Sequence, residues 1–85
     1  SRNVNLGGKL GGPIGSILGF AADYMSKPVV GKSIDLANAL APYAQDLGKF
    51  AKPLMDAAAK GPAQLLLTHK LLMQVPEYQQ LVSPQ

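Results

Sequence analysis

The chain has 85 residues, which is enough for one small domain. A domain of this size is marginally stable on its own unless disulfides, a metal ion or a partner contribute. Cysteine is absent, which excludes disulfides, and one histidine with five scattered acidic residues gives no basis for a metal site. Close helix packing or burial against another chain must therefore supply the stability.

Charged residues make up 15% of the chain, against roughly a quarter in a typical soluble domain, and aromatic residues only 6%. A surface this poor in charge favours burial within a protein assembly or contact with lipid. The net charge is +3, and the lysines are spaced singly rather than clustered in a basic stripe. Weak contact with DNA or with a membrane is therefore allowed, but we expect no cofactor and no small-molecule substrate.

Residues 1–12 read SRNVNLGGKLGG and predict a flexible, glycine-rich arm. From residue 13 to residue 82 the pattern predicts a single helical region. Pro13 suits the first position of a helix. Ile14, Ile17 and Leu18 follow at helical spacing on one face. This first helix should end before Pro28, with a break near residues 27–32.

A second helical stretch should begin at Ser33 as N-cap, with Asp35 in its first turn. Pro42 and Pro53 interrupt this stretch, so we expect breaks near residues 41–42 and 52–53. Asp56 and Lys60 have the spacing of a surface ion pair. An apolar stripe continues along the whole stretch at intervals of three and four: Leu36, Leu40, Ala44, Leu47, Ala51, Leu54 and Ala58.

Gly61-Pro62 is a strong helix stop and restart, so a further break is expected near residues 61–62. The helix that follows is rich in leucine, and its wide apolar arc predicts burial on more than one side. Another break near residues 75–76 should precede a short helix that begins at Pro76. Residues 83–85 form a tail.

The sequence offers no set of side chains for catalysis, and we expect no enzyme. His69 is the only histidine, and its neighbours at helical spacing are leucines rather than a nucleophile or a carboxylate. A half-buried histidine bonded to a backbone carbonyl or to a neighbouring chain explains it better. The five acids, one in each helical piece, show no spacing that would bring a catalytic pair together: Asp23, Asp35, Asp46, Asp56 and Glu77.

Two segments in the C-terminal third, DAAAKGPAQLLLTHK at residues 56–70 and VPEYQ at residues 75–79, carry a resemblance. They resemble the C-terminal regions of long bacteriophage internal virion proteins of the tape-measure and DNA-ejection type. The resemblance implies a helical segment held in the virion interior or tail and bound to ring proteins. It also implies a piece of a longer chain, which Ser1 in place of methionine fits, and it implies no active-site residue.

The sequence thus predicts an all-α protein of four to five short helices punctuated by prolines. Its alanine-rich middle leaves open whether they are extended or close into a globule. The function we expect is structural: binding to protein subunits of a larger assembly, most simply a phage tail or ejection apparatus. A membrane-active helical peptide, with residues 13–25 and 62–75 at the interface, is one alternative, and a self-folding adaptor domain is another. The expected partner contacts are Leu36, Leu40, Leu47, Phe50, Leu54, Leu66, Leu71 and Leu72.

Overall fold

The computed structural model describes residues 10–27 and 34–83. Its helices are α1 (Gly11–Ser26), α2 (Leu36–Leu40), α3 (Ala44–Leu47), α4 (Ala51–Lys60), α5 (Pro62–Leu72) and α6 (Pro76–Val82). One-turn 3-10 helices, Ala41–Tyr43 and Gly48–Phe50, join α2 to α3 and α3 to α4. With α2 and α3 taken as one helical run, the described residues form five helical pieces and no strand. The all-α prediction is confirmed.

The start of α1 differs from the prediction. The helix begins at Gly11, so Pro13 stands inside its first turn, where a missing N–H leaves no intrahelical bond unmade. Leu10, assigned to the flexible arm, is buried, and its N–H donates to the carbonyl of Leu81 at 3.1 Å. This bond ties the entrance of α1 to α6. The rest of the predicted arm, residues 1–9, lies outside the described residues.

Helix α2 begins with a different cap from the one expected. Asp35 is its N-cap, and Oδ1 of that side chain accepts a hydrogen bond from the N–H of Asn38 at 2.9 Å. The predicted N-cap, Ser33, lies outside the described residues, as does most of the predicted break near residues 27–32. Farther along, Pro42 stands at the start of the 3-10 helix Ala41–Tyr43, so the break predicted near residues 41–42 is confirmed.

The break predicted near residues 52–53 is wrong. Pro53 is the third residue of α4, a position whose N–H has no partner within the α-helix, so the proline removes no hydrogen bond of α4. The chain is instead interrupted at Gly48, whose φ of 58° and ψ of −125° belong to a conformation that side chains other than glycine rarely adopt. The break was misplaced because proline is the stronger helix-breaking signal in the sequence, although Gly48 also has low helix propensity.

Gly61 makes the sharpest corner of the fold. Its φ of 137° lets α4 end at Lys60 and α5 begin at Pro62, and its N–H donates to the carbonyls of Ala57 and Ala58. The break near residues 61–62 is therefore confirmed, and the two helices pack against each other. Val75, which has an extended backbone, precedes Pro76 at the start of α6, so the final predicted break is also confirmed.

The helices close around one hydrophobic core, so the extended arrangement left open by the sequence is not the one adopted. The radius of gyration is 12.9 Å, close to the roughly 12 Å expected for a compact chain of this length. Each helix contributes to the core, whose buried members are Leu10, Ile14, Ala21, Leu36, Leu40, Leu47, Phe50, Leu54, Ala58, Leu65, Tyr78 and Val82. Apart from the hydroxyl group of Tyr78, no polar or charged side chain among the described residues is buried with them.

Candidate interaction surface

The two sides of α5 differ sharply in burial. Leu65 is 1% exposed and packs in the core, whereas Leu67 and Leu71 are 50% and 58% exposed. Leu67 and Leu71 are four residues apart, so they lie next to each other on the outward side of the helix. Gln64 and Lys70 are also exposed around them. We call these four residues the α5 outer face.

The α5 outer face has no acidic side chain near it in the sequence. From Ala57 to Pro76 the only charged residues are Lys60 and Lys70, apart from the titratable His69. Two exposed leucines with a basic and amide rim suit contact with an apolar surface of another molecule. Together they are too small for a stable interface alone, because specific interfaces bury roughly 800 Å² on each partner.

The structure corrects most of the predicted partner contacts. Five of the eight residues, Leu36, Leu40, Leu47, Phe50 and Leu54, lie in the core and are at most 6% exposed. A side chain this buried has no area left for another molecule unless the helices separate. These residues of the apolar stripe, which were expected to contact a partner, are therefore buried by packing within the chain itself.

The other three predicted contacts belong to α5 and differ among themselves. Leu66 and Leu72 are partly buried and pack against the core. Leu71 is mostly exposed and remains a predicted partner contact. Leu67 was not predicted as a partner contact, although it lies four residues before Leu71 and this spacing places the two on the same side of a helix. The expectation that α5 would be buried on more than one side does not hold within the chain.

His69 lies on the inner side of α5 and contacts Tyr78 of α6. Its Nδ1 is 2.7 Å from the Tyr78 hydroxyl oxygen, and the two rings meet edge to face at 5.5 Å between centroids. The prediction that His69 is half-buried is confirmed, but its partner is this tyrosine rather than a backbone carbonyl. Tyr78 is fully buried and also meets Phe50 edge to face at 5.2 Å.

Burial shifts the pKa of both members of this pair. The pKa of His69 falls below its ordinary value of 6.5, because the surrounding protein desolvates the imidazolium form. Burial raises the pKa of Tyr78 to about 12, because the phenolate would be still harder to accommodate. Both groups are therefore neutral near pH 7, and neither is prepared to act as a nucleophile or a charged ligand.

A shallow cleft of about 250 Å³ runs beside His69 between α1, α5 and α6. It is mostly apolar, with His69 and Ser83 as its polar side chains. Gly15 forms part of its wall, and a methyl group added to Gly15 would meet no atom within 4 Å. The cleft beside Gly15 is therefore open and is not filled by side chains of the core. Its lining residues are Gly11, Ile14, Gly15, Leu18, His69, Met73, Val82 and Ser83.

The acids form no metal-binding group in the described part of the chain. No group of three or more histidine, cysteine, aspartate or glutamate residues there could hold a metal ion. Asp46 and Glu77 do line one open cleft of about 330 Å³, a proximity that the sequence did not indicate. Glu77 Oε1 forms an exposed ion pair with Lys49 Nζ at 2.8 Å.

The ion pair predicted on α4 has a different partner. Asp56 Oδ2 pairs with Lys52 Nζ at 3.2 Å, one turn before it, rather than with Lys60 one turn after it. Both partners have the favourable spacing of four residues on the helix. The sequence alone could not choose between them, because Lys52 and Lys60 stand at equal distances from Asp56.

On α1, the exposed large side chains are Phe20 and Met25, at 57% and 48%. Phe20 belongs to an open cleft of about 460 Å³ near the end of the helix, with Asp23, Tyr24, Ser26 and Lys27. Ile14, expected to face lipid in the membrane alternative, points into the core instead. No helix in residues 10–27 or 34–83 has the length and apolarity to cross a membrane.

Comparison with known proteins gives no relative: no protein-family model, no curated protein and no solved structure matches the chain. The surface that the fold leaves exposed is therefore the main structural indication of function.

Proposed function

We propose that this chain is a self-folding helical interaction domain and a structural element of a larger protein assembly, without catalysis of its own. The observation that carries the proposal is the exposure of Leu67 and Leu71 on the α5 outer face. In a chain with so little charge, about half of each of these two leucine side chains is exposed to water, although the same helix buries Leu65 completely. Two adjacent exposed leucines can form part of a larger apolar surface that another protein covers.

The closed core favours a domain over an extended segment. Leu36, Leu40, Leu47, Phe50 and Leu54 are satisfied within the chain, so the proposed contact needs no unfolding. The assembly we propose is a phage virion, in its tail or interior, because of the resemblance of residues 56–70 and 75–79 described above. In that setting the domain would bind a neighbouring subunit through α5 and anchor a longer chain to it.

Photo-crosslinking in the assembled particle tests this proposal. A benzophenone amino acid placed at Leu71 should form a covalent bond with a neighbouring subunit. The same group at Ala22, which is exposed on α1, is the matched control and should crosslink weakly or not at all. Adding Leu67→Lys should abolish the crosslink from position 71 while leaving the circular dichroism spectrum unchanged. A folded chain with no crosslink at position 71, or with one insensitive to Leu67→Lys, would contradict the proposal.

Contact with lipid is the competing possibility, favoured by the exposed side chains of Phe20 and Met25. It is weaker because Ile14, a residue needed for a flat apolar face on α1, is 2% exposed. Cosedimentation with vesicles containing anionic lipid distinguishes the two. Binding that Phe20→Ser removes and Leu67→Lys leaves intact would support lipid contact through α1 rather than protein contact through α5.

A further inference from the structure

Helix α6 closes the core through one buried aromatic side chain. Tyr78 is 0% exposed, so its ring lies wholly inside the protein. Its hydroxyl group reaches Nδ1 of His69 at 2.7 Å, which is the one hydrogen bond of this group among the described residues. The bond joins α5 to α6 across the turn at residues 73–75.

The hydrogen bond has one arrangement that satisfies both partners. A buried hydroxyl must donate its hydrogen or leave it unpaired. Neutral His69 accepts that hydrogen at Nδ1 and carries its own proton on Nε2. When His69 gains a second proton, Nδ1 becomes a donor and can no longer accept. The Tyr78 oxygen can then accept from the imidazolium, but its own hydrogen loses its partner inside the core.

Among the described residues, no acidic side chain lies beside His69 to stabilise the imidazolium, and the C-terminal end of α5 supplies only a partial negative charge. From α1, the cleft beside it is lined by Gly11, Ile14, Gly15 and Leu18, none of which titrates. From α6, Tyr78 is the titratable group that faces it, and Val82 is apolar. The inward residues of α4 are Leu54, Ala57 and Ala58.

The charged groups of these elements point elsewhere. Glu77 of α6 pairs with Lys49 at the other cleft, and Asp56 of α4 pairs with Lys52 in solvent. Asp23 and Lys27 line the separate cleft at the end of α1. Lys70 is exposed on the α5 outer face, and Lys60, at the end of α4, is exposed as well. Loss of hydration is accordingly the cause that lowers the pKa of His69.

We propose that His69 and Tyr78 form a pH-sensitive latch, which holds α6 on the core when His69 is neutral and loosens it when His69 is protonated. Loosening α6 would uncover Tyr78 and Val82 and would release the bond between the Leu10 N–H and the Leu81 carbonyl. A protein that needs to expose an apolar surface on acidification could use such a device. The latch does not depend on the α5 outer face.

The direction of the pH effect follows from the lowered pKa. The unfolded chain binds a proton at His69 near pH 6.5, whereas the folded chain binds it only at lower pH. Stability from the latch is thus fully present above pH 6.5 and is lost as the pH falls through the folded-state pKa. Between pH 7.5 and pH 5.0 this single group can raise the unfolding equilibrium constant by at most roughly 30-fold.

The test follows amide hydrogen exchange and thermal unfolding of the whole chain at both pH values. After correction for intrinsic exchange rates, the amides of Gln79 and Leu81 should lose several-fold more protection at pH 5.0 than those of Leu54 and Ala58 in α4. His69→Gln keeps an acceptor for Tyr78 without titrating, so its loss of α6 protection should be much smaller. Tyr78→Phe removes the hydroxyl, so α6 should respond less to pH than in the native chain.

Two results would overturn the latch. One is an equal pH response of α6 in the native chain and in His69→Gln. The other is a uniform loss of protection in α4 and α6, which would mean that the whole domain loses stability and no latch exists. If His69→Gln does not fold, NMR titration of His69 in the native chain decides the matter. A pKa at or above 6.5 contradicts the latch, and a lower pKa with simultaneous shifts at Tyr78 supports it.

Discussion

The inner and outer faces of α5 carry the same residue type with opposite fates. Leu65 is 1% exposed and Leu71 is 58% exposed, although both belong to one helix of eleven residues. The inner face meets α1 and α4, which pack closely against α5. The outer face meets no element in the described parts of the chain. Leucine on the inner face therefore contributes to folding, and leucine on the outer face is free to contribute to binding.

Under the proposed function, the difference between the faces separates the residues that stabilise the fold from those that bind a partner. If the domain folds by itself, the inner positions determine its free energy of unfolding and the outer positions determine what it contacts. Substitutions at buried and at exposed positions test whether stability and binding are separate in this way.

The largest contrast should come from truncating the two leucines. Leu65→Ala removes a fully buried side chain and should lower the free energy of unfolding by about 2–5 kcal/mol. Leu71→Ala removes mostly exposed atoms and should change it by no more than about 0.5 kcal/mol. Urea unfolding followed by circular dichroism measures both. Similar losses in the two variants would mean that the outer face is also packed, against another copy or another segment.

The next contrast concerns Gly61, the corner between α4 and α5 that sets the direction of α5. Gly61→Ala should destabilise the domain by about 1–3 kcal/mol, because φ of 137° with ψ of 173° is a backbone conformation essentially restricted to glycine. Gly15→Ala is the matched control within a helix, where alanine meets open space and should stabilise by about 0.5–1 kcal/mol. Thermal melts of both variants check the signs. A stabilising Gly61→Ala would contradict the described corner.

A smaller effect is expected where α2 begins, since this helix carries two leucines of the interior. Asp35→Ala removes the acceptor for the Asn38 N–H and should cost about 1 kcal/mol. Asp35→Asn keeps an oxygen acceptor and should cost markedly less. The two free energies of unfolding, measured side by side, decide whether Asp35 acts as a cap. Equal costs would show that it does not.

The smallest effect belongs to the exposed surface of α4. Asp56→Asn removes an ion pair whose side chains are 85% and 60% exposed. Solvent screening leaves such a pair no more than about 0.5 kcal/mol, and this difference should fade in high salt. Unfolding curves at low and high ionic strength measure it. A loss above 1 kcal/mol that persists in salt would show that the surface is less independent than proposed.

Much of the fold followed from local signals in the sequence. Gly61-Pro62 and Pro76 mark helix ends through backbone geometry alone, and both were placed correctly. Pro53 misled because a proline in a first helical turn looks the same in sequence as one in a helix interior. Whether the helices would close was undetermined, since that depends on contacts between residues distant in the chain.

The candidate surface was harder to predict for the same reason. A periodic stripe identifies an apolar face but not what covers it, so Leu54 and Leu71 appeared equivalent. The fold distinguishes them because α4 and α5 pack against each other. Leu54 lies on the packed side of α4, and Leu71 lies on the exposed side of α5. The His69–Tyr78 bond was equally invisible, because it joins two helices across the turn at residues 73–75. Tyr78, which is 0% exposed, was not among the eight predicted partner contacts.

The most direct test of the self-folding domain is thermal unfolding of the 85-residue chain, with its mass measured by light scattering. A closed core predicts a cooperative transition whose midpoint is the same at low and high protein concentration, together with a helical spectrum before melting. A spectrum without helix, or a midpoint that rises with concentration, would contradict it, because the leucines assigned to the core would then need a second molecule to bury them.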